Sequence, residues 1–246
     1  MSTLFVTGSG TDVGKTFVAE LLLGQLLRAG RRACALKPVA SGFDEEAPAT
    51  SDPGRLLRAQ GLEPDPRAIE AICPWRFAAP LSPDMAAARE GRAVDFDALV
   101  AFCRRPRNAD VTLIEGIGGV MVPLDREHTV LDWIVAVAAP VMLVAGTYLG
   151  TLSHTLTALG MLRARGAALA GIVLSESPDA PVPAEETANV LGRFAGAVPI
   201  RIVRRRIAGA PEPPQPSLID LIGSRSYPKS RGWTAAPTVG RRSRRA

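Results

Sequence analysis

The sequence predicts an α/β fold, a doubly wound parallel sheet with helices on both faces. Three observations carry that reading. Short, nearly continuous apolar runs alternate with helical patterns along the chain, which is how strands buried on both faces of a parallel sheet read. Gly30, Gly61, Gly91 and Gly166 each fall just after a helical stretch, where a left-handed cap costs glycine little. Residues 8–16, Gly-Ser-Gly-Thr-Asp-Val-Gly-Lys-Thr, form a glycine-rich loop between the first apolar run and the first helical stretch.

Taken in order, strands are expected over residues 4–7, 33–37, 111–115, 141–145, 169–174 and 200–203, each a short apolar run. Helices are expected over 15–28, 52–59, 83–89, 96–103, 131–137, 152–165 and 184–194. The 246 residues are 47% hydrophobic, enough for the core of one large α/β domain, assigned to residues 1–223. The most apolar stretch, around 134–144, is broken by Pro140 and falls far short of a bilayer span. No charged segment followed by an apolar signal core opens the chain. Cys34, Cys73 and Cys103 are odd in number and widely spaced, unlike a disulfide framework or a metal cluster. Together these predict a cytoplasmic protein with no membrane role.

The net charge of +5 is unevenly placed. Residues 224–246 hold Arg225, Lys229, Arg231, Arg241, Arg242, Arg244 and Arg245 and no acid, which leaves residues 1–223 at −2. With little apolar periodicity and several Pro and Gly, this basic tail reads as a disordered extension. Nothing in residues 1–223 supports nucleic-acid recognition.

The loop at 8–16 carries the strongest chemistry. A glycine-rich turn ending in Gly-Lys-Thr aims backbone N–H groups at a polyphosphate, adds the Lys15 ammonium, and offers the Thr16 hydroxyl to Mg²⁺. The usual phosphate loop has a glycine with four residues between it and Gly14; that position is Ser9 here, and Gly8 makes the loop one residue longer. A plain glycine turn with an incidental lysine has the same composition, but the strand–turn–helix setting favours a phosphate-loop NTPase. Partitioning ATPases carry an extra lysine early in this loop, at a position that here is Gly10. A carboxylate beside a phosphate cradle repels phosphate unless it finds a cation. Asp12 therefore either addresses an amine on a second substrate or favours the positive end of the following helix, and the residue alone leaves both open.

In open α/β sheets the site lies beyond the carboxyl ends of the strands. That rule selects Lys37, directly after the second strand in Lys-Pro-Val-Ala-Ser-Gly, as a cation beside the loop. A surface lysine at a strand end is the plainer reading. Asp52 precedes a helix and is alone merely a good cap. Glu115 ends the third strand and runs into Gly116-Ile117-Gly118-Gly119, where backbone can approach a ligand closely. Thr16, Asp52 and Glu115 are thus the candidate Mg²⁺ ligands. Gly150-Thr151-Leu152-Ser153 opens a helix whose free N–H groups suit an anion, unless Thr151 is an ordinary cap.

Together, the loop, Lys37-Pro38-Val39-Ala40-Ser41-Gly42, Ser51-Asp52, Ala79-Pro80-Leu81-Ser82-Pro83, Glu115 to Gly119, and Leu149-Gly150 with His154 resemble the dethiobiotin synthase family over about residues 1–175. The resemblance implies a homodimer that converts 7,8-diaminononanoate, CO₂ and MgATP to dethiobiotin, ADP and phosphate through a carbamic–phosphoric anhydride. It implies catalytic roles for Lys37, Lys15 and Thr11. Substrate would be held by Ser41, Asp12, Gly150, Thr151, Leu152 and Ser153, the last four receiving its tail carboxylate across the subunit interface. The nucleotide would lie on Asp12, Val13, Gly14, Lys15, Thr16, Phe17, Asp52, Glu115, Gly116, Ile117 and Gly118, with its base near Ser175 and Glu176. The family's adenine-reading asparagine is here Ser175, a tyrosine some members place near the substrate tail is Thr187, and the sequence after Pro199 departs from the family pattern. A partitioning-type or other phosphate-loop ATPase that ignores the diamine is the alternative function.

Overall fold

A computed structural model describes residues 2–207 and 209–222; the basic tail expected at 224–246 lies outside the described residues. Six strands form one parallel sheet: β1 (Ser2–Gly8), β2 (Ala33–Leu36), β5 (Val111–Glu115), β6 (Val141–Ala145), β7 (Leu169–Ser175) and β8 (Ile200–Val203), in the order β2-β5-β1-β6-β7-β8. All five pairs of neighbours run parallel. Phe5, Val111, Leu113, Val141 to Val144 and Val173 lie wholly or almost wholly out of solvent, as a sheet covered on both faces requires.

The helices are α1 (Lys15–Arg28), α2 (Asp52–Ala59), α3 (Pro66–Ile72), α4 (Pro83–Arg89), α5 (Phe96–Arg104), α6 (Val130–Val137), α7 (Thr151–Ala164) and α8 (Ala184–Ala195). From central β1, the chain moves to β2 through α1 and later returns past β1 to β6 and outward to β8. Right-handed crossovers then put α1 on one face and α5 to α8 on the other. Helix starts follow local chemistry: Ser51, Asp65 and Asp95 each accept an N–H from the residue three ahead. All four glycines expected to cap helices have positive φ.

The expected strands and helices are all present, with ends differing by one or two residues. Two strands, one α-helix and two 3₁₀ turns, Pro48–Thr50 and Ile219–Leu221, were not expected. Strands β3 (Val39–Ser41) and β4 (Trp75–Phe77) pair into a separate two-stranded parallel sheet, and α3 precedes β4. Ser41 ends β3, opposite Phe77 of β4. After β8 the chain folds back onto α1: Gln25 donates to Pro216 O at 2.7 Å and accepts from Leu218 N at 2.8 Å.

Candidate active site

The site lies at the carboxyl ends of β1, β2 and β5. The loop after β1 is tied to β6 by Ser9 N–H, which donates to Val144 O at 2.8 Å. Gly14 ends it with φ 88°, and a Cβ there would stand 2.5 Å from Ser175 Oγ. Only glycine meets both conditions, so the phosphate loop rests directly on the end of β7. Lys15 folds its ammonium back over the loop to Gly10 O at 3.0 Å. Burial first, then the nearby Lys37 charge, pull its pKa down to about 8.

Register brings the next residues together. β2 and β5 run parallel with Leu36 opposite Ile114, so Lys37 and Glu115 emerge side by side one residue later. Lys37 Nζ donates to Glu115 Oε1 at 2.7 Å and to Gly116 O at 2.9 Å, and it pairs with Asp52 Oδ2 at 3.2 Å. Thr16 Oγ1 donates to the same Glu115 Oε1 at 2.8 Å. Lys37 is 2% exposed and Glu115 0%, so this is a buried ion pair and not a solvated strand end. Burial works against the Lys37 ammonium, yet the charges of Glu115 and Asp52 outweigh it and hold its pKa above the usual lysine value. Asp52 is likewise disfavoured by burial, but Lys37 keeps its carboxyl below the ordinary range. Asp52 is also the first residue of α2, and Ser51 provides that helix's side-chain cap.

The candidate metal ligands Thr16, Asp52 and Glu115 are thus gathered around one ammonium. Glu115 Oε2 is buried with no hydrogen-bond partner, an arrangement that costs free energy unless a cation or donor arrives. Among the described residues, no three His, Cys, Asp or Glu cluster as a self-contained metal site. Two carboxylates and a hydroxyl fit Mg²⁺, which typically completes its shell with water and substrate phosphates. Ser41 Oγ and Ser9 Oγ are also buried without hydrogen-bond partners. Sequence reasoning missed Ser9; its place inside the loop was the available signal. Thr11 is exposed, with its hydroxyl 3.6 Å from where a Cβ on Gly118 would be. Gly116 and Ile117 continue the turn from Glu115.

A cavity of about 480 Å³ opens beside the loop between Asp12, Val13, Gly14, Phe17, Ser175, Glu176, Arg205 and Arg206. It unites the expected phosphate-loop and base-end residues. The Glu176 carboxylate, however, is spent within the protein: Oε1 accepts from Arg204 at 2.5 Å and Oε2 from Arg205 N–H at 3.0 Å. Arg204 also pairs with Glu185, and Gln215 exchanges hydrogen bonds with the Arg204 backbone. The Arg206 guanidinium lies over the Phe17 ring, 5.1 Å from its centroid. Arg205 and Arg206, in a segment the sequence offered only as a departure from pattern, therefore wall the cavity, while Arg204 anchors that segment to Glu176 and Glu185. A larger cavity of about 780 Å³ continues along α1 past Glu20, Arg55 and Arg28.

The mouth of α7 needs one correction. Thr151 is not the cap, since Gly150 takes that place at φ 96° with no side-chain bond. The Thr151 hydroxyl donates to Gly146 O at 2.7 Å and its N–H to Tyr148 O at 3.1 Å. Of the four residues expected to bind an anion, Leu152 and Ser153 keep the amides that open the helix. Tyr148 and His154 share a 2.8 Å hydrogen bond beside them. Thr187, where the resemblance looks for a tyrosine, is buried in α8.

A nucleotide-sized cavity, a buried Lys-Thr-acid centre and a glycine loop on a parallel sheet define a phosphate-loop NTPase. A family profile described as an AAA domain matches residues 2–206. Three similar proteins are each called ATP-dependent dethiobiotin synthetase BioD. That of Acidiphilium cryptum is 52% identical over 202 residues, 81% of this chain and 91% of that protein. That of Methylobacterium nodulans is 46% identical, covering 83% and 94%; that of Caulobacter vibrioides is 50% identical, covering 79% and 88%. The chain belongs to the dethiobiotin synthetase family.

Proposed function

We propose that this chain is an ATP-dependent ligase that carboxylates 7,8-diaminononanoate with CO₂ and closes the cyclic urea of dethiobiotin, in biotin biosynthesis. Family membership supports the reaction, and one observation carries its assignment to this site: the buried centre in which Lys37, Thr16, Asp52 and Glu115 converge beside the phosphate loop. Lys15 and the loop amides would bind the β- and γ-phosphates, and Lys37 would offset charge growing on the transferring phosphoryl group and the carbamate. Thr16, Asp52 and Glu115 would hold Mg²⁺, which when bound neutralises phosphate charge.

Ser41, whose buried hydroxyl has no partner within the protein, would hold the carbamate, with Thr11 above it. Asp12 lines the cavity on the nucleotide side; its carboxylate would orient an amine at the cavity edge. The diamine's two nitrogens and the γ-phosphate are thereby held in one geometry, which supplies much of the acceleration. The amides of Leu152 and Ser153 would receive the substrate's tail carboxylate from a second copy of the chain. Support for a homodimer comes from Leu149, a large apolar side chain 86% exposed directly before that mouth. We assign its work to the cytoplasm on its need for ATP. No helix among the described residues is long and apolar enough to cross a membrane.

The test is phosphate release with each substrate omitted in turn. Release that requires both diamine and bicarbonate supports the ligase. Equal release without the diamine would identify an ATPase of another kind.

A further inference from the structure

We propose that Lys37 is an exchangeable counter-ion: it occupies the carboxylates while no divalent cation is bound, and leaves Glu115 when one binds. The inference rests on the magnesium reading above and adds what the lysine does before and after.

The geometry points to it in three ways. Glu115 Oε1 already accepts two hydrogen bonds, from Thr16 and from Lys37, which fill its acceptor sites. Oε2 is buried with no partner and is open to a cation, which reaches Oε1 as well only if one donor goes. Thr16 sits in the loop and is itself a candidate ligand, so the ammonium is the group that departs. Charge gives the second reason. Lys15 and Lys37 balance Asp52 and Glu115 in a centre where only Asp52 reaches solvent, and a dication added with Lys37 still in place would stand beside a buried ammonium at short range. Reach gives the third. Pro38 fixes the backbone behind Lys37, while its four-carbon stem can swing the ammonium a few ångströms without moving the strand. The destination is the negative charge that the nucleotide brings. Lys37 then meets the transferring phosphoryl group only once the metal has taken its former place, so its catalytic contact is made by loading and not by the empty fold.

The experiment compares wild type with Lys37→Gln by Mg²⁺ titration calorimetry and thermal melting without nucleotide, and adds a crystal structure of the wild type with Mg²⁺ and a non-hydrolysable ATP analogue. Removing the competing ammonium should tighten Mg²⁺ binding by at least about tenfold. It should also lower the metal-free melting temperature, because Glu115 loses its main partner, and Mg²⁺ should restore most of that loss. In the crystal, Lys37 Nζ should lie beyond hydrogen-bond distance of Glu115 Oε1. If Lys37→Gln does not fold without metal, the double variant Lys37→Gln with Glu115→Gln should fold, since neither charge remains, and folding of the single variant in Mg²⁺ serves as the titration. Equal Mg²⁺ affinity in wild type and variant, or a metal complex with Lys37 still on Glu115, overturns the exchange and leaves the metal site standing. Failure of every form to bind Mg²⁺, with or without nucleotide, overturns the metal site itself.

Discussion

Lys15 gives the sharpest pH prediction. In the empty site, burial and the Lys37 charge hold its pKa at about 8. Bound phosphate favours the ammonium and should return it to the ordinary lysine range. Between those values binding takes up one proton, so affinity falls about tenfold per pH unit, and nucleotide should bind about ten times more weakly at pH 9 than at pH 7. ATP's own terminal phosphate is already ionised over most of this window. Lys37, held above the usual range, keeps its proton throughout. Stability must move the other way. Over pH 8 to 10.5 the unfolded chain still holds the Lys15 proton while the folded chain has released it, so unfolding free energy rises with pH, by at most about 3 kcal/mol. Equilibrium binding of a fluorescent ATP analogue, alongside melting of the empty protein, reads both slopes, with Lys15→Met as the control that should flatten them. Affinity that stays level from pH 7 to 9.5, or a slope that survives in Lys15→Met, would refute the reasoning.

Three further outcomes are expected. Glu115→Gln removes the buried anion that Lys37 and Thr16 share; it should cost about 3–5 kcal/mol of stability and raise the half-saturating Mg²⁺ at least about tenfold, and an unchanged magnesium titration would make Glu115 purely structural. Gly14→Ala adds a Cβ 2.5 Å from Ser175 Oγ at a left-handed position, so nucleotide binding should be lost, and Ser175→Gly in the same background should recover part of it if the clash is the cause. With Ser175 in place of an amide, GTP or CTP should support turnover within about tenfold of ATP, by analogy with the worth of one bidentate base contact. Strict ATP dependence at limiting nucleotide would show that backbone groups or the wall at Arg205 and Arg206 read adenine.

The strong elements were legible because local chemistry and burial agree there. The bounds of α1, α2, α4, β5, β6 and β8 follow from caps, glycines and apolar runs that no tertiary contact overrides. β3 and β4 are three residues each, too short to show a period. The seven-residue α3 did carry a signal, since Asp65-Pro66 is a cap followed by a first-turn proline. At the site, sequence placed Lys37 and Glu115 at strand ends but could not join them. Their contact depends on β2 lying beside β5, a matter of strand order between residues 78 apart. The Arg204 cluster was hidden for the same reason: its acids stand 19 and 28 residues away, and only the curl of the chain after β8 brings them together.

The two ends of the nucleotide site are held by different kinds of force. The phosphate end is made by the central strands, and its ions are buried; deleting one partner strands the other in a medium that cannot solvate it, at a cost of several kcal/mol. The base end is made by β7 and the segment after β8, where Arg204 is 37% exposed, its partner Glu185 is 50%, and Arg206 and Glu212 are 56% and 59%. Pairs that open to water contribute about 1 kcal/mol or less each. Substitution at the proposed base end should therefore barely disturb the fold, whereas substitution at the phosphate end should cost stability as well as the proposed chemistry. On the proposed reading, that asymmetry puts Lys15, Lys37, Glu115 and the glycine loop where substitution is costly, and Ser175, Arg205 and Arg206 where it is tolerated.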